Sequence, residues 1–576
     1  MKKALLSFRN FSFRYDSQAE DTLKAINLDV HDGEVLLIAG PSGSGKSTLG
    51  QCINGLIPNA YKGTTKGSLL INGQDAGEQS IFERSRLVGT VLQDSDAQFI
   101  GLTVGEDIAF TMENEAVPQW KMKKRVAEAA ERVDMVDYLQ RSPHDLSGGQ
   151  KQRVSFAGVL VNPVRVLLFD EPLANLDPAT GKQTMQLIQR IHQETGVTVI
   201  IIEHRIEDVL EIAVNRIVVL KDGQIIADQR PAELLCTDLM AQCGLREPLY
   251  LSAAKKAGVK VTPAMHPENA TTFAGDGMAQ ALFGWASGAV QRERTDSHEP
   301  LITLDHLRFG YTKEQPLFQD LSLTIHRGER LAIVGKNGAG KSTLTKLICG
   351  MEHPFSGTMT FLDQPMDDWT IYERSKHIGL VMQNPNQMIA QQKVSDEVAF
   401  GLKLRDMDPQ KITEKVEETL KVCGLYPYRN WPIRALSFGQ KKRVTIASIL
   451  VLDPELLILD EPTAGQDYRH YTEIMRFLNE LNVRGITLVM ITHDMQLMLE
   501  YTDRALVLAD GQLIGDQAPE ELLSNAPLAA NANLKTTSLF QLAERMKAPD
   551  PLAFVRRFIC EERKEQRYGS ENAQLY

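Results

Sequence analysis

The chain repeats itself, and this limits what it can fold into more than any other feature. GPSGSGKST begins at Gly40 and GKNGAGKST at Gly335, 295 residues later. LSGGQKQRV at Leu146 returns as LSFGQKKRV at Leu436, and LLFDEPLANLD at Leu167 returns as LILDEPTAGQD at Leu457, both 290 residues on. IIIEHR at Ile200 is matched by VMITHD at Val489, and the openings FRNFSFRYD at Phe8 and LDHLRFGYT at Leu304 also correspond. Landmarks kept in one order at nearly one offset mean duplication of a whole domain. The chain's 576 residues are in any case too many for one hydrophobic core.

The first copy is assigned to residues 1–240 and the second to 301–525. Between them, residues 241–300 are rich in Ala, Gly, Thr and polar residues and read as a linker with at most short helices. Within it, GMAQALFGWASGAV is apolar enough to dock on a surface. Residues 526–576 form a C-terminal extension. Its FVRRFICEERKEQR (554–567) reads as a solvated amphipathic helix, with a partner-binding helix as the alternative.

Charge and cysteine usage exclude several classes. A formal net charge of −11 argues against a general nucleic-acid binder, which needs a basic face. The six cysteines are scattered with no CxxC pair, so reduced thiols are expected rather than disulfides or zinc. The apolar start is broken at once by Arg9, Asn10 and Arg14, unlike a signal peptide. No run approaches the ~18–20 apolar residues that cross a bilayer. VTVIII (197–202) and LLIL (456–459) have the length of buried parallel strands.

Each GxxxxGK[ST] follows a short apolar strand, EVLLIAG (34–40) or RLAIVG (330–335), and precedes a helical pattern. That context makes it a phosphate-binding P-loop: glycines let backbone N–H groups wrap phosphates at the positive end of a helix. By chance the pattern arises in roughly one chain in fifty of this length, so two copies in one context are not coincidence. The loop residues are Gly40, Pro41, Ser42, Gly43, Ser44, Gly45, Lys46, Ser47 and Thr48, and then Gly335, Lys336, Asn337, Gly338, Ala339, Gly340, Lys341, Ser342 and Thr343. Lys46 and Lys341 are expected to reach the β- and γ-phosphates, and Ser47 and Ser342 to ligate Mg²⁺. VRVLLFDEP (164–172) and PELLILDEP (454–462) are apolar strands ending in paired carboxylates, where ligands of doubly wound sheets bind. Asp170 and Asp460 suit Mg²⁺; Glu171 and Glu461 suit orienting or deprotonating an attacking water.

LSGGQ lying between these motifs resembles the ATP-binding cassette family, and the resemblance spans nearly all of both copies. It implies an α/β fold: two P-loop NTPase domains, each with a RecA-like parallel sheet core, an antiparallel β subdomain and a helical subdomain carrying the signature motif. It also implies ATP and Mg²⁺ as ligands. Ser147, Gly148, Gly149 and Gln150, and Ser437, Gly439 and Gln440, match the signature, which contacts the γ-phosphate held by the opposite cassette. Ser147 also suits a helix N-cap. Tyr15 and Tyr311 match the aromatic residue that stacks on adenine. Gln93 and Gln383 match the glutamine that reaches Mg²⁺ and senses a membrane partner. Asp177 and Asp467 match the D-loop, and His204 and His493 the switch histidine at the γ-phosphate.

QDSDAQFIGLTVGEDIAF (93–110) and QNPNQMIAQQKVSDEVAFG (383–401) resemble the ATPases of energy-coupling factor importers, which show a QNPxxQ-like stretch followed by TVxxDVAFG. Gln98 lies five residues after Gln93, as that pattern has it. Gln387 lies only four after Gln383, and Met388 takes the equivalent place. The resemblance implies a transmembrane coupling protein and a substrate-binding membrane subunit as partners, at the cytoplasmic face of the membrane. Two such cassettes in one chain resemble the ATP-binding subunits of importers for thiamine or its hydroxymethylpyrimidine precursor. The alternative is a tandem cassette ATPase acting on ribosomes or nucleic acid. Against it stand the short stretch between Gln93 and Leu146, the Ala/Gly-rich linker and the lack of CxxC insertions.

Family geometry pairs the two cassettes of the chain head to tail. Site one then joins Lys46 and Glu171 to LSFGQ, where Phe438 replaces a glycine; site two joins Lys341 and Glu461 to the intact LSGGQ. Both sites are expected to hydrolyse ATP, site two faster.

Overall fold

The computed structural model describes residues 4–92, 98–174, 176–287, 299–463 and 466–573, with side chains to residue 564. Gln93 lies outside the described residues. The chain divides into two compact units, Met1–Leu282 with Asp467–Arg469, and Phe283–Gln466 with His470–Tyr576.

In the first unit a six-stranded sheet has the order Gln224–Gln229, Arg216–Lys221, Val35–Ala39, Thr198–Ile202, Val166–Asp170, Val88–Val91. All neighbours run parallel except the edge strand Gln224–Gln229. Val35–Ala39 and Thr198–Ile202 are buried at every residue, which is why they read as unbroken apolar runs. A separate antiparallel sheet orders Leu23–His31, Ala4–Tyr15, Gly63–Ile71 and Gln74–Asp75. The second unit repeats both: Ile378–Val381, Leu456–Asp460, Thr487–Ile491, Arg330–Gly335, Arg504–Ala509, Gln512–Gln517 in one sheet, and Phe318–His326, Pro300–Phe309, Ser356–Phe361, Gln364–Pro365 in the other.

One buried arginine in each copy helps seat the helix that follows the P-loop. Arg374 donates to Leu347 O at 2.8 Å and Ile348 O at 3.1 Å, at the end of helix Lys341–Ile348, and to Met366 O at 2.8 Å. Arg84 does the same for helix Lys46–Asn54 through Cys52 O and Ile53 O. A cation there satisfies the last carbonyls and complements the helix dipole.

The stretch 241–287 is more densely packed than its composition suggests. Its helices are short, Leu249–Lys256 and Met278–Ala286. Yet Tyr250 and Phe273 are fully buried with ring centroids 5.5 Å apart, and Tyr250 donates to Pro267 O at 2.7 Å. Leu249 N donates to Glu207 at 2.8 Å, fastening the stretch three residues beyond His204.

The tail departs from the sequence reading. Helix Pro551–Ala573 buries Phe554, Val555, Phe558 and Ile559 instead of standing in solvent. These positions make one stripe at i, i+1, i+4 and i+5. Arg563 donates to Glu500 O at 2.7 Å and Thr502 O at 2.9 Å, and Arg556 pairs with Glu520 and Glu521. The tail is thus part of the second unit. Among the described residues, no helix is long and apolar enough to cross a membrane.

Candidate active sites

Sheet order assembles each site. Four adjacent parallel strands of the first unit lead, at their C-terminal ends, into Gly40, Glu203–His204, Asp170–Glu171 and Leu92. Ligands of doubly wound sheets bind at this edge. The second unit brings Gly335, Thr492–His493, Asp460–Glu461 and Met382 to the same edge of its own sheet.

The loops are shaped for close backbone approach. A Cβ on Gly40 would lie 2.3 Å from Leu220 O, and one on Gly335 would lie 1.9 Å from Leu508 O. Gly45 and Gly340 hold φ near 100°, which disfavours any side chain, and each opens the helix carrying its lysine. Lys46 Nζ donates to Gly40 O at 2.7 Å and Pro41 O at 2.8 Å; Lys341 Nζ donates to Gly335 O and Lys336 O at 2.8 and 2.9 Å. Burial holds the Lys46 ammonium below its ordinary pKa. Ser44 Oγ is buried with no hydrogen-bond partner among the described residues.

The carboxylates sit where expected, with an added constraint. Ser47 Oγ lies 3.4 Å from Asp170 Oδ1. Glu171 and Glu461 have φ of 50° and 44°, a region costly for residues with a Cβ. Each continues its strand's ladder, donating from N to Ile202 O or Ile491 O at 2.9 Å. Burial raises the pKa of Asp170 and Glu171, and burial with the Asp460 charge beside it raises Glu461 to about 8. His204 Nδ1 is 3.9 Å from Glu171 Oε1, and His493 Nε2 is 3.8 Å from Glu461 Oε1.

Ser147 and Ser437 are N-caps of helices Gly148–Leu160 and Phe438–Leu450, each closed into a capping box by Gln150 or Gln440. Each helix packs among two others, Val104–Asn114 with Gln119–Arg132, and Val394–Leu404 with Pro409–Val422. A Cβ on Gly148 would meet nothing within 4 Å, while one on Gly149 would lie 2.5 Å from Thr180. Phe438 occupies the open position of the pair and is 43% exposed, so its ring costs its own cassette nothing in packing.

Tyr15 and Tyr311 differ in exposure. The Tyr15 hydroxyl donates to Gln51 Oε1 at 2.9 Å and lies 3.1 Å from Thr48 Oγ1, while Tyr311 lies 62% exposed with its hydroxyl 3.2 Å from Thr343 Oγ1. Asp177 caps helix Pro178–Thr195 through Thr180 N. Gln383 is anchored by its carbonyl, which accepts from Lys442 Nζ at 2.8 Å, as does Met382 O. Met388 Sδ accepts from Met382 N at 3.2 Å, a local use of the position where the family pattern has glutamine.

Sequence reasoning missed four residues here. Glu203, fully buried, and Lys442, 1% exposed, stand inside the repeated stretches IIIEHR and LSFGQKKRV but were given no role there. Asp107 and Glu397 fold the loop before the next helix. Asp107 accepts from Ile100 N and Gly101 N at 2.8 and 3.1 Å, and Glu397 from Ala390 N and Gln391 N at 2.9 and 2.7 Å. The acidic residue of the TVxxDVAFG-like pattern was the available signal.

A family model described as ABC transporter matches residues 23–174 and 318–464. Another, described as ATP-binding cassette cobalt transporter, matches residues 237–309. A protein of Enterococcus faecalis described as an ABC transporter ATP-binding protein is 54% identical over 570 residues, covering 99% of this chain and 100% of its own. One from Streptococcus mutans with the same description is 52% identical over 557 residues, covering 97% and 98%. The solved structure of cbiO1 from Clostridium perfringens, described as part of the ABC transporter complex cbiONQ, is 33% identical. It covers 43% of this chain and 100% of that one, with a TM-score of 0.39. With a P-loop in each matched range and identity running nearly end to end, the chain belongs to the ATP-binding proteins of ABC transporters, as an ATPase of two cassettes.

Proposed function

We propose that this ATPase drives an importer of the energy-coupling factor type, bound at the cytoplasmic face of the membrane to a transmembrane coupling protein and a substrate-binding subunit. Its cargo is a vitamin or related micronutrient, with a thiamine precursor as the first candidate. The observation that carries this reading is the loop after each Q-loop, folded by Asp107 or Glu397. In the first cassette this loop leaves Ile100 64% and Leu102 83% exposed, apolar surface suited to a membrane subunit's helix. The match of residues 237–309 to a cobalt-transporter model supports the same branch of the family.

The P-loop backbone, with Lys46 or Lys341, holds the ATP phosphates. Ser47 with Asp170, and Ser342 with Asp460, are the residues that would hold Mg²⁺, joined by Gln93 and Gln383; the Ser47 and Asp170 oxygens, 3.4 Å apart, fit two ligands of one ion. When bound, the ion neutralises phosphate charge. Glu171 and Glu461, each beside an aspartate that would hold Mg²⁺, orient or deprotonate the attacking water. His204 and His493 address the γ-phosphate.

The test is to purify the chain in mild detergent from its native membrane and identify what accompanies it. A multi-span membrane protein with a bound small molecule is expected. Sedimentation with ribosomes and no membrane protein would overturn the reading.

A further inference from the structure

The two switch histidines are held differently. In the second cassette His493 N donates to Glu461 Oε1 at 2.8 Å, so the expected base itself anchors the switch loop. The preceding residue is Thr492, whose Oγ1 accepts from Asp494 N at 3.0 Å. In the first cassette the preceding residue is Glu203, and the anchoring passes to it. Glu203 Oε1 accepts from His204 N at 2.9 Å and Arg205 N at 3.2 Å, and lies 3.2 Å from His204 Nδ1. Its Oε2 accepts from Leu173 N at 3.4 Å, and Arg205 Nη1 donates to Leu173 O at 2.9 Å. Both backbone polar groups of Leu173, two residues after Glu171, are therefore bound to the switch loop.

The rings turn accordingly. His204 faces Glu171 with Nδ1, the nitrogen that also meets Glu203, whereas His493 faces Glu461 with Nε2. A carboxylate on one ring nitrogen fixes which nitrogen is turned to the chemistry.

We propose that Glu203 is a positioning residue of the first cassette: its carboxylate fixes the orientation of the His204 ring and ties the switch loop to the segment that follows Glu171. This rests on the ATPase reading, with His204 acting at the γ-phosphate. Glu203 acts through His204 and touches no nucleotide. The first cassette thereby orients its switch histidine with a carboxylate distinct from its base, at the place where the second has Thr492.

The test uses the full chain with ¹⁵N-labelled histidines, His204 being assigned by difference from His204→Ala. Glu203→Thr, which installs the second cassette's residue, is expected to move the His204 ring-nitrogen signals toward those of His493. In a Glu461→Gln background, where remaining turnover is that of site one, Glu203→Thr is expected to cut turnover roughly tenfold, with the ATP KM within about twofold. Glu203→Gln keeps an acceptor for His204 N but removes the charge beside Nδ1, so it is expected to cut turnover about threefold and to move the His204 signals in the same direction as Glu203→Thr; it serves as the folded variant if Glu203→Thr does not fold. Glu203→Thr/His204→Ala should be no slower than His204→Ala alone. Unchanged His204 signals, or a loss that adds to that of His204→Ala, would overturn the proposal. If His204→Ala costs no turnover, the role of His204 fails and this inference with it. If His204→Ala costs turnover and Glu203→Thr does not, this inference alone fails. Should the Glu461→Gln chain be silent, the spectrum decides by the same criterion.

Discussion

The two cassettes share a frame and differ in what surrounds it. Strand order, P-loop geometry, the left-handed glutamate and the capping box on the signature serine recur in both. The differences lie inside the motifs or within two residues of them. Where the second cassette buries Lys442 under Met382 and Gln383, the first has Gln152, whose Oε1 accepts from Thr184 Oγ1 and whose amide donates to Pro172 O. Glu203 stands opposite Thr492, and Gly148 opposite Phe438. Atoms that would touch ATP have little freedom to vary, because the chemistry dictates their placement. The residues that hold those atoms vary more, since several hydrogen-bond arrangements reach one geometry.

The contrast can be broken most forcefully through the tail, which packs on the second cassette. Phe558→Ala removes a ring 1% exposed and is expected to cost about 3–4 kcal/mol. Calorimetry should show a second-cassette transition lowered by roughly 10 °C. A single transition shifted as a whole would mean that the cassettes unfold as one.

Catalytic asymmetry comes next. Removing one base should cost its own site at least about a hundredfold, leaving the turnover of the other. If site two is the faster, Glu461→Gln leaves roughly a quarter of the steady-state rate and Glu171→Gln roughly three quarters. Equal losses would remove the asymmetry.

Lys442→Met should reduce turnover about threefold, by releasing two Q-loop carbonyls and leaving them without their donor. Lys442→Gln, the first cassette's residue at that place, should lose less. If both variants match wild type in an ATPase assay, the lysine has only a structural role. The smallest effect is expected from Phe438→Gly, a rise of less than about twofold in total turnover carried by site one. A fall would mean that the ring helps closure.

The strands and P-loops were legible because two constraints coincide there: fully buried parallel strands must be apolar, and phosphate loops must be glycine-rich. The N-cap role of Ser147 was legible too, since a serine three residues before glutamine at a helix start satisfies two backbone donors at once. Glu203 was hidden because a buried carboxylate is read from its partners, and Leu173 lies thirty residues away in sequence. The copies themselves held the clue, as IIIEHR against VMITHD changes a side chain beside an expected functional histidine. The packing of 241–287 was hidden by composition, because alanines and glycines line close-packed helices as readily as linkers. The tail's stripe was visible, but the helices its own helix packs on, Ser538–Arg545, Met495–Tyr501 and Pro519–Leu522, come together only on folding.

The left-handed backbone at Glu171 and Glu461 has a consequence for the protein's evolution and engineering. A glycine at either position would relax the backbone by about 1 kcal/mol and remove a carboxyl that burial disfavours. On the proposed mechanism it would also lose the base. A search for sturdier variants of this chain, blind to turnover, would therefore drift toward silent ones. Retention of glutamate at both places in a duplicated chain then records selection for work done at both sites, against a standing pull toward inert stability.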